Sequence, residues 1–181
     1  MMDTKIIVVH CSDSPNERTL VTRKPGPPPV VVRTPSQEID AWHKERGFQR
    51  DSYWRGRHEP GLNSLGYHFV IGRNGALYNG RHPEEVGAHA AGWNSVSLGI
   101  CLVGRDQFTE EQLATLKNTI KALGATYDIP MQKAAFGMAG NKHTVASRGV
   151  CGHRDLPGVA KTCPGFDVGE WLTTWEQEAA K

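Results

Sequence analysis

The sequence predicts a single α/β domain, residues 1–181, in which helices flank a central mixed β-sheet. Segments rich in β-branched aliphatic residues alternate along the chain with amphipathic segments of helical period, which is the pattern of this fold class. The length of 181 residues corresponds to one domain at roughly 150 residues per domain. With 38% hydrophobic and 22% charged residues, the composition is that of a globular protein and excludes wholesale disorder.

The N-terminal part of the chain is predicted to form one buried strand and one helix. Residues 5–10 are an aliphatic, mostly β-branched run that ends at the polar residues 12–15, which indicates a buried strand. Thr34 can cap the helix, a proline follows at the first helical position, and Gln37 completes a capping box. Gly47 is the expected C-terminal stop.

The middle of the chain is predicted to form a hairpin and a further strand. The Asn-Gly pair at 74–75 is a strong turn signal, and the strand-like segments 67–72 and 76–79 flank it. Residues 97–103 are apolar and short, as expected of another buried strand.

Two more helices are predicted in the C-terminal half. Thr109 and Gln112 form a second capping box, and Asp167 can cap the last helix. The apolar residues that follow Thr109 fall on one helical face, as in an amphipathic helix: Leu113, Leu116, Ile120 and Leu123.

Three segments are predicted to be long loops. Residues 15–35 are dense in proline and are expected to be extended and exposed. Residues 131–149 are rich in glycine and alanine and have weak periodicity. Residues 48–64 are rich in aromatic residues and in arginines that we expect to be solvated, namely Arg50, Arg55 and Arg57.

Charge and hydropathy exclude several classes of partner. The chain has 21 Lys and Arg against 19 Asp and Glu, so its net charge of +2 provides no electrostatic footprint for nucleic acid. No apolar run approaches the roughly 20 residues of a membrane span. The apolar stretch that follows the N-terminus is too short for a signal peptide. We therefore expect a chain that is made in the cytoplasm and does not insert into a membrane.

The candidate chemistry lies in a few histidines and cysteines. A catalytic zinc site uses three protein ligands and leaves one position open, and the chain offers His10 at a strand end and the pair His153 and Cys163 around a loop. Since side chains alternate along a strand, His10 and Cys11 are predicted to face opposite ways, with Cys11 packed against the other layer. Alone, the pair is a weak signal, and a loop histidine with a buried cysteine is the favoured explanation.

Six further motifs occur in order along the chain and give it a family resemblance. They are Val9-His10-Cys11-Ser12, Trp42-His43-Lys44-Glu45, Gly66-Tyr67-His68-Phe69, Val86-Gly87-Ala88-His89-Ala90, Asn94 with Ser97-Leu98-Gly99-Ile100, and Lys161-Thr162-Cys163-Pro164-Gly165-Phe166-Asp167. In this set the sequence resembles the zinc-dependent N-acetylmuramoyl-L-alanine amidases of the bacteriophage lysozyme and peptidoglycan-recognition-protein type.

The resemblance implies a set of site residues. His10, His153 and Cys163 would bind Zn²⁺, and Tyr67 and Lys161 would be the catalytic side chains. Amide hydrolysis needs a nucleophile at neutral pH and stabilisation of an oxyanion, and a zinc-bound water with a nearby ammonium can supply both. Which of Tyr67 and Lys161 moves the proton stays open.

The resemblance also implies a substrate and a setting. His89 and Asn94 match positions that line the substrate groove in this family, and the expected partner is the muropeptide of peptidoglycan. A single-domain amidase suits a monomeric phage or prophage endolysin that lyses Gram-negative cell walls. It would act in the periplasm once the membrane is permeabilised.

The other histidines and cysteines are expected to be structural. Alternation on the strand turns His68 away from a site that Tyr67 faces, and His43 is expected to be a buried, hydrogen-bonded helix residue. Cys101 and Cys151 are expected to be core thiols. Residues 154–155 are expected to shape the ligand loop by local ion pairing or hydrogen bonding.

Two other classes of function stay open. A recognition module would hold muropeptide without cutting it. A metal-free thiol hydrolase would use Cys11 or Cys163 as its nucleophile and would be indifferent to chelators.

Overall fold

A computed structural model describes the backbone of residues 2–179 and the side chains of residues 2–175. The elements are β1 (Ile6–Cys11), β2 (Thr22–Lys24), β3 (Val30–Arg33), α1 (Pro35–Glu45), α2 (Ser52–Arg55), β4 (Phe69–Ile71), β5 (Leu77–Asn79), β6 (Ser97–Leu102), α3 (Glu110–Tyr127), β7 (Ala135–Ala139), β8 (Lys142–Ser147), β9 (Gly149–Gly152) and α4 (Val168–Ala179). Short 3₁₀ turns occupy Asn94–Val96 and His153–Asp155.

A five-stranded mixed sheet forms the centre of the domain, as predicted. Its strand order is β5-β4-β6-β1-β9. The strands β4, β6, β1 and β9 are parallel to one another, and β5 pairs antiparallel with β4. All six residues of β1 are buried, which is why this strand reads as a continuous apolar run rather than as an alternating one.

Helices cover both faces of the sheet. On one face α3 and α4 pack Leu116, Ile120 and Leu172 against sheet residues such as Ile7 and Ile100. On the other face, Ile39 of α1 packs in a second cluster with Val70 and Cys101. A third cluster contains Cys151 of β9 together with Ile6 and Val8 of β1. Cys101 and Cys151 are therefore core thiols, as predicted.

The predicted helix starts are confirmed. Thr34 accepts from the backbone N–H of Gln37, whose side chain accepts from the backbone N–H of Thr34, and Thr109 and Gln112 form the same box. Asp167 accepts from the backbone N–H of Glu170 at 2.9 Å. Within the described residues, no helix combines the length and the apolar character needed to cross a bilayer.

Two of the three predicted loops contain β-hairpins, so those loop predictions are wrong in part. Within 15–35, β2 and β3 pair antiparallel, and every residue of both strands is exposed. Within 131–149, β7 and β8 pair around Gly140, which has a φ of 59°. Neither ribbon has a fully buried face, so neither shows the alternation that identifies a strand. The Gly-Asn pair at 140–141 was a turn signal that could have revealed the second hairpin.

The prediction that Arg50 is solvated is wrong. Its side chain is fully buried and its Nη2 lies 2.8 Å from Oε2 of Glu85. Its guanidinium also donates to the backbone carbonyls of His58, Glu59 and Leu62. A buried arginine is satisfied only when its donors are paired. The segment 48–64, a predicted loop that also contains the one-turn helix α2, supplies three of the acceptors.

Candidate metal centre

Three possible metal ligands meet at the carboxyl edge of the sheet. His10 is the penultimate residue of β1, and His153 follows the last residue of the adjacent parallel strand β9. The ring centroids of these histidines are 4.5 Å apart, and Nδ1 of His10 lies 3.9 Å from Sγ of Cys163. One ligand atom from each of the three residues lies within 4.8 Å of the others. The sheet topology thus assembles the set that the sequence predicts.

Local bonds close the loop between His153 and Cys163. The backbone N–H of Arg154 donates to the carbonyl oxygen of Cys163 at 2.8 Å, and the guanidinium of Arg154 lies 3.5 Å from Asp167. The carboxylate of Asp155 accepts from the backbone N–H of Gly152 at 2.7 Å. The predicted role of residues 154–155 in shaping this loop is confirmed.

The protonation of the cluster suits a metal. Burial is the main reason that the pKa of His10 lies well below its usual value, and the electrostatic influence of His89, His153 and Lys161 lowers it further. Burial, with the charge of Lys161, lowers the pKa of His153 to about 4. Both imidazoles are therefore neutral at pH 7, as a ligand must be. Two imidazoles and one thiol in a site open on one side fit the donor set of a catalytic zinc site.

Cys11 does not pack against the other layer, so that prediction is wrong. Its backbone N–H donates to Sγ of Cys163 at 3.3 Å, and it lines the same cleft. Cys11 is the last residue of β1, and the loop that carries Cys163 contacts the strand at this end, so strand alternation does not decide what Cys11 contacts. A hydrogen bond between the two thiols lowers the pKa of Cys11 and raises that of Cys163.

All seven residues predicted for the site line one cleft of about 1610 Å³. They are His10, Tyr67, His89, Asn94, His153, Lys161 and Cys163. The ring centroids of Tyr67 and His10 are 5.1 Å apart. Burial raises the pKa of Tyr67 well above its usual value, so its hydroxyl keeps its proton at neutral pH. Lys161 is exposed. Its positive charge contributes to the lowered pKa values of His10 and His153.

Helix α1 positions the segment that leads into Tyr67. Oδ1 of Asp40 accepts from the backbone N–H groups of Ser64 and Leu65, at 2.6 and 2.7 Å. Nδ1 of His43 accepts from the backbone N–H of Gly66 at 2.9 Å. The prediction of a buried, hydrogen-bonded His43 is confirmed, and the role of Asp40 is one that the sequence analysis missed.

His68 is buried behind the cleft, as the alternation predicts. Its Nδ1 accepts from the backbone N–H of Gly99 at 2.9 Å, and its Nε2 lies 2.9 Å from the carbonyl oxygen of Glu85. It does not line the cleft.

His89 and Asn94 have contacts that the sequence did not indicate. Nδ1 of His89 lies 3.0 Å from Nε2 of His10. Oδ1 of Asn94 accepts from the backbone N–H groups of His89 and Ala90, at 2.9 and 2.8 Å. His89 therefore contacts His10 and Asn94 holds the backbone at His89, and both residues also line the cleft.

The cleft lining also includes residues that the sequence did not indicate. Arg46 lies over the ring of Phe48, 5.0 Å from its centroid, and both line the cleft together with Arg105 and Asp106. Their only sequence signal was their position just after α1 and β6, at the edge of the sheet where the ligands also lie.

Known proteins resemble this chain in sequence and fold. A sequence profile of the N-acetylmuramoyl-L-alanine amidase family matches residues 1–166. The endolysin of Klebsiella phage KP32 is 32% identical over 183 residues, covering 97% of this chain and 87% of its own length.

Two solved structures share the fold. The endolysin N-acetylmuramoyl-L-alanine amidase LysCS from Clostridium intestinale is 22% identical, with a TM-score of 0.61 over 97% of this chain and 85% of its own. A Drosophila peptidoglycan recognition protein, a PGRP-LB mutant in complex with tracheal cytotoxin, is 23% identical, with a TM-score of 0.55 over 97% of this chain and 83% of its own. The profile match and the fold agree with the resemblance seen in the motifs. The chain belongs to the N-acetylmuramoyl-L-alanine amidase family.

Proposed function

We propose that this chain is a zinc amidase of the endolysin type, which cleaves the bond between N-acetylmuramic acid and L-alanine in peptidoglycan. The observation that carries the proposal is the meeting of His10, His153 and Cys163 within 4.8 Å of one another, in a cleft that Tyr67 and Lys161 also line. The phage relative supports the endolysin role, since it covers nearly the whole chain.

In the proposed reaction, the three metal ligands and the two catalytic candidates have different roles. A zinc ion held by His10, His153 and Cys163 would supply a water of lowered pKa and would polarise the scissile carbonyl. Tyr67 keeps its proton because burial raises its pKa. It is therefore a hydrogen-bond donor for the oxyanion and not a general base.

Lys161 has a different part in the proposal. Its side chain is exposed at the cleft, two residues before Cys163. An ammonium tethered there can neutralise charge that develops on the carbonyl oxygen, and can donate a proton to the leaving amine. Because it is exposed, it can also adapt its position to the bound substrate.

The cleft suits a polymer segment. Its volume of about 1610 Å³ exceeds the range of about 300–1,000 Å³ that small-molecule sites occupy. We propose that the muropeptide lies along it, with His89 and Asn94 among the residues that it meets. The tracheal cytotoxin complex of the Drosophila protein supports a muropeptide ligand for this fold.

The phage relative also supports a setting for this activity. We propose that the chain acts as a monomer, since one chain contributes the whole cluster, and that nucleic acid is not a partner. It would be synthesised in the host cytoplasm. It would reach the peptidoglycan of a Gram-negative host from the periplasmic side, after the membrane has been permeabilised.

Activity with and without a chelator, measured in the wild type and in the variant C11S, tests whether a metal or a thiol drives the reaction. With a soluble muropeptide as substrate, a zinc amidase loses activity in chelator, regains it with added Zn²⁺, and keeps it in C11S. A thiol hydrolase that uses Cys11 would ignore the chelator and lose activity in C11S. A protein that binds the muropeptide without cleaving it under any of these conditions is a recognition module, and the proposal is then wrong.

A further inference from the structure

A line of hydrogen bonds lies behind the ligand His10. Nε2 of His10 lies 3.0 Å from Nδ1 of His89. Nε2 of His89 lies 3.5 Å from Oγ of Ser97, and the same Oγ lies 2.7 Å from the carbonyl oxygen of Trp93. We refer to these three residues, Ser97, His89 and His10, as the histidine relay.

The direction of each bond follows from the carbonyl at the end of the line. A carbonyl oxygen only accepts, so the Ser97 hydroxyl donates its single proton to Trp93. Its oxygen, 3.5 Å from Nε2 of His89, can then only accept from that ring, and the backbone of Ser97 also forms a hydrogen bond with the ring. Both contacts place the proton of His89 on Nε2. A neutral imidazole has one N–H, so Nδ1 of His89 is an acceptor, and it accepts from Nε2–H of His10.

This sequence of donors and acceptors leaves Nδ1 of His10 without a proton. Nδ1 is the ring nitrogen that lies 3.9 Å from Sγ of Cys163, on the side where the three ligands meet. Its lone pair is therefore available there before any metal binds. In the other tautomer, a proton on Nδ1 would have to be displaced first, and Nε2 of His10 would face His89 as an acceptor against an acceptor.

The surroundings of His89 hold its ring in one place. A Cβ at Gly87 would lie 2.5 Å from Cδ2 of this ring, and a Cβ at Gly99 would lie 2.7 Å from it. The side-chain Oδ1 of Asn94 fixes the backbone here by accepting from the N–H groups of His89 and Ala90. Because only glycine leaves room at both positions, the two backbones form a close-fitting slot for the imidazole.

We propose that the histidine relay sets the tautomer of His10 and so directs its Nδ1 to the metal. His89 is then a positioning residue that acts through His10, in addition to any contact with substrate, and Ser97 fixes the tautomer of His89. The inference rests on the proposed zinc site, although the state of His10 in the zinc-free protein can be measured independently. Partners of this kind typically contribute 10–100-fold to metal affinity.

Three variants and two readouts test the relay. The readouts are the tautomer of His10, from nitrogen-15 shifts in long-range proton–nitrogen spectra of the zinc-free protein, and zinc affinity by chelator competition. H89A should weaken zinc binding 10–100-fold. H89N should restore most of it, because the asparagine Oδ1 replaces Nδ1 as acceptor. S97A should give an intermediate loss and a mixture of His10 tautomers.

H43N is the matched control, since His43 is also buried, lines the cleft and holds a backbone N–H. It should leave zinc affinity within about threefold of the wild type, a margin set well inside the 10-fold lower limit for the relay.

The outcomes separate the relay from the zinc site. If the wild type binds zinc and H89A and S97A bind it equally well, the relay is wrong and the site stands. If the wild type binds no zinc, the proposed function fails, and the zinc-free spectra still decide the relay. A proton on Nδ1 of His10 in the wild type would overturn it in either case.

Discussion

Replacement of Arg50 by methionine should strongly destabilise the fold. Arg50 is fully buried, and its guanidinium donates to Glu85 at 2.8 and 3.2 Å. Methionine fills a similar volume but, among the described residues, leaves Arg81, at 3.4 Å, as the one remaining cationic partner of Glu85. Breaking a buried pair by removing one partner costs about 3–5 kcal/mol. For a chain of this length, that lowers the melting temperature by roughly 6–20 °C.

Thermal and urea unfolding of the metal-free protein measure this loss. R57M is the matched control, because Arg57 belongs to the same segment but is exposed, with its guanidinium 3.8 Å from the ring centroid of Tyr53. It should cost no more than about 1 kcal/mol. The double variant R50M/E85Q should lose less than the sum of its single variants, since it also removes the carboxylate that R50M deprives of Arg50, while Arg81 keeps its backbone acceptors at Leu65, Val86 and Gln49. A loss under about 1 kcal/mol in R50M would refute the assignment of a buried ion pair.

Three further predictions concern the site. Tyr67→Phe should lower kcat about 10²–10³-fold while zinc affinity is kept, and an unchanged kcat would remove the hydroxyl from the chemistry. Cys163→Ser should lose zinc binding and activity together, as chelator titration and a muropeptide assay would show; an active, zinc-binding variant contradicts its role as a ligand. Burial lowers the pKa of His43 and His68 to about 4, so the unfolded chain binds more protons between pH 4 and 6.5. The free energy of unfolding of the metal-free protein should therefore fall as pH drops through this window, by up to about 3 kcal/mol per histidine, and a flat profile in denaturant melts would contradict this.

The sheet and the ligands could be predicted because their signals are local. The buried run of β1 and the capping boxes at Thr34 and Thr109 depend on neighbours in sequence. The metal cluster followed from motifs of a known family, and the parallel pairing of β1 with β9 explains why His10 and His153 meet.

The parts that could not be predicted depend on distant partners. The burial of Arg50 follows from Glu85, 35 residues later, and composition alone made it look like a solvated charge. The contact of Cys11 with Cys163 spans 152 residues and overrides the alternation of β1. The hydrogen bond between His10 and His89 could not be predicted either, because it joins residues that are 79 positions apart. The two hairpins were missed because exposed ribbons have no apolar period.

The most direct test of the proposed activity is a digest of purified Gram-negative peptidoglycan, with and without chelator, analysed by mass spectrometry. The proposed zinc amidase predicts free stem peptides that begin with L-alanine, absent in chelator and restored by Zn²⁺. Intact sacculi that still retain the bound protein, or products unaffected by chelator, would contradict it.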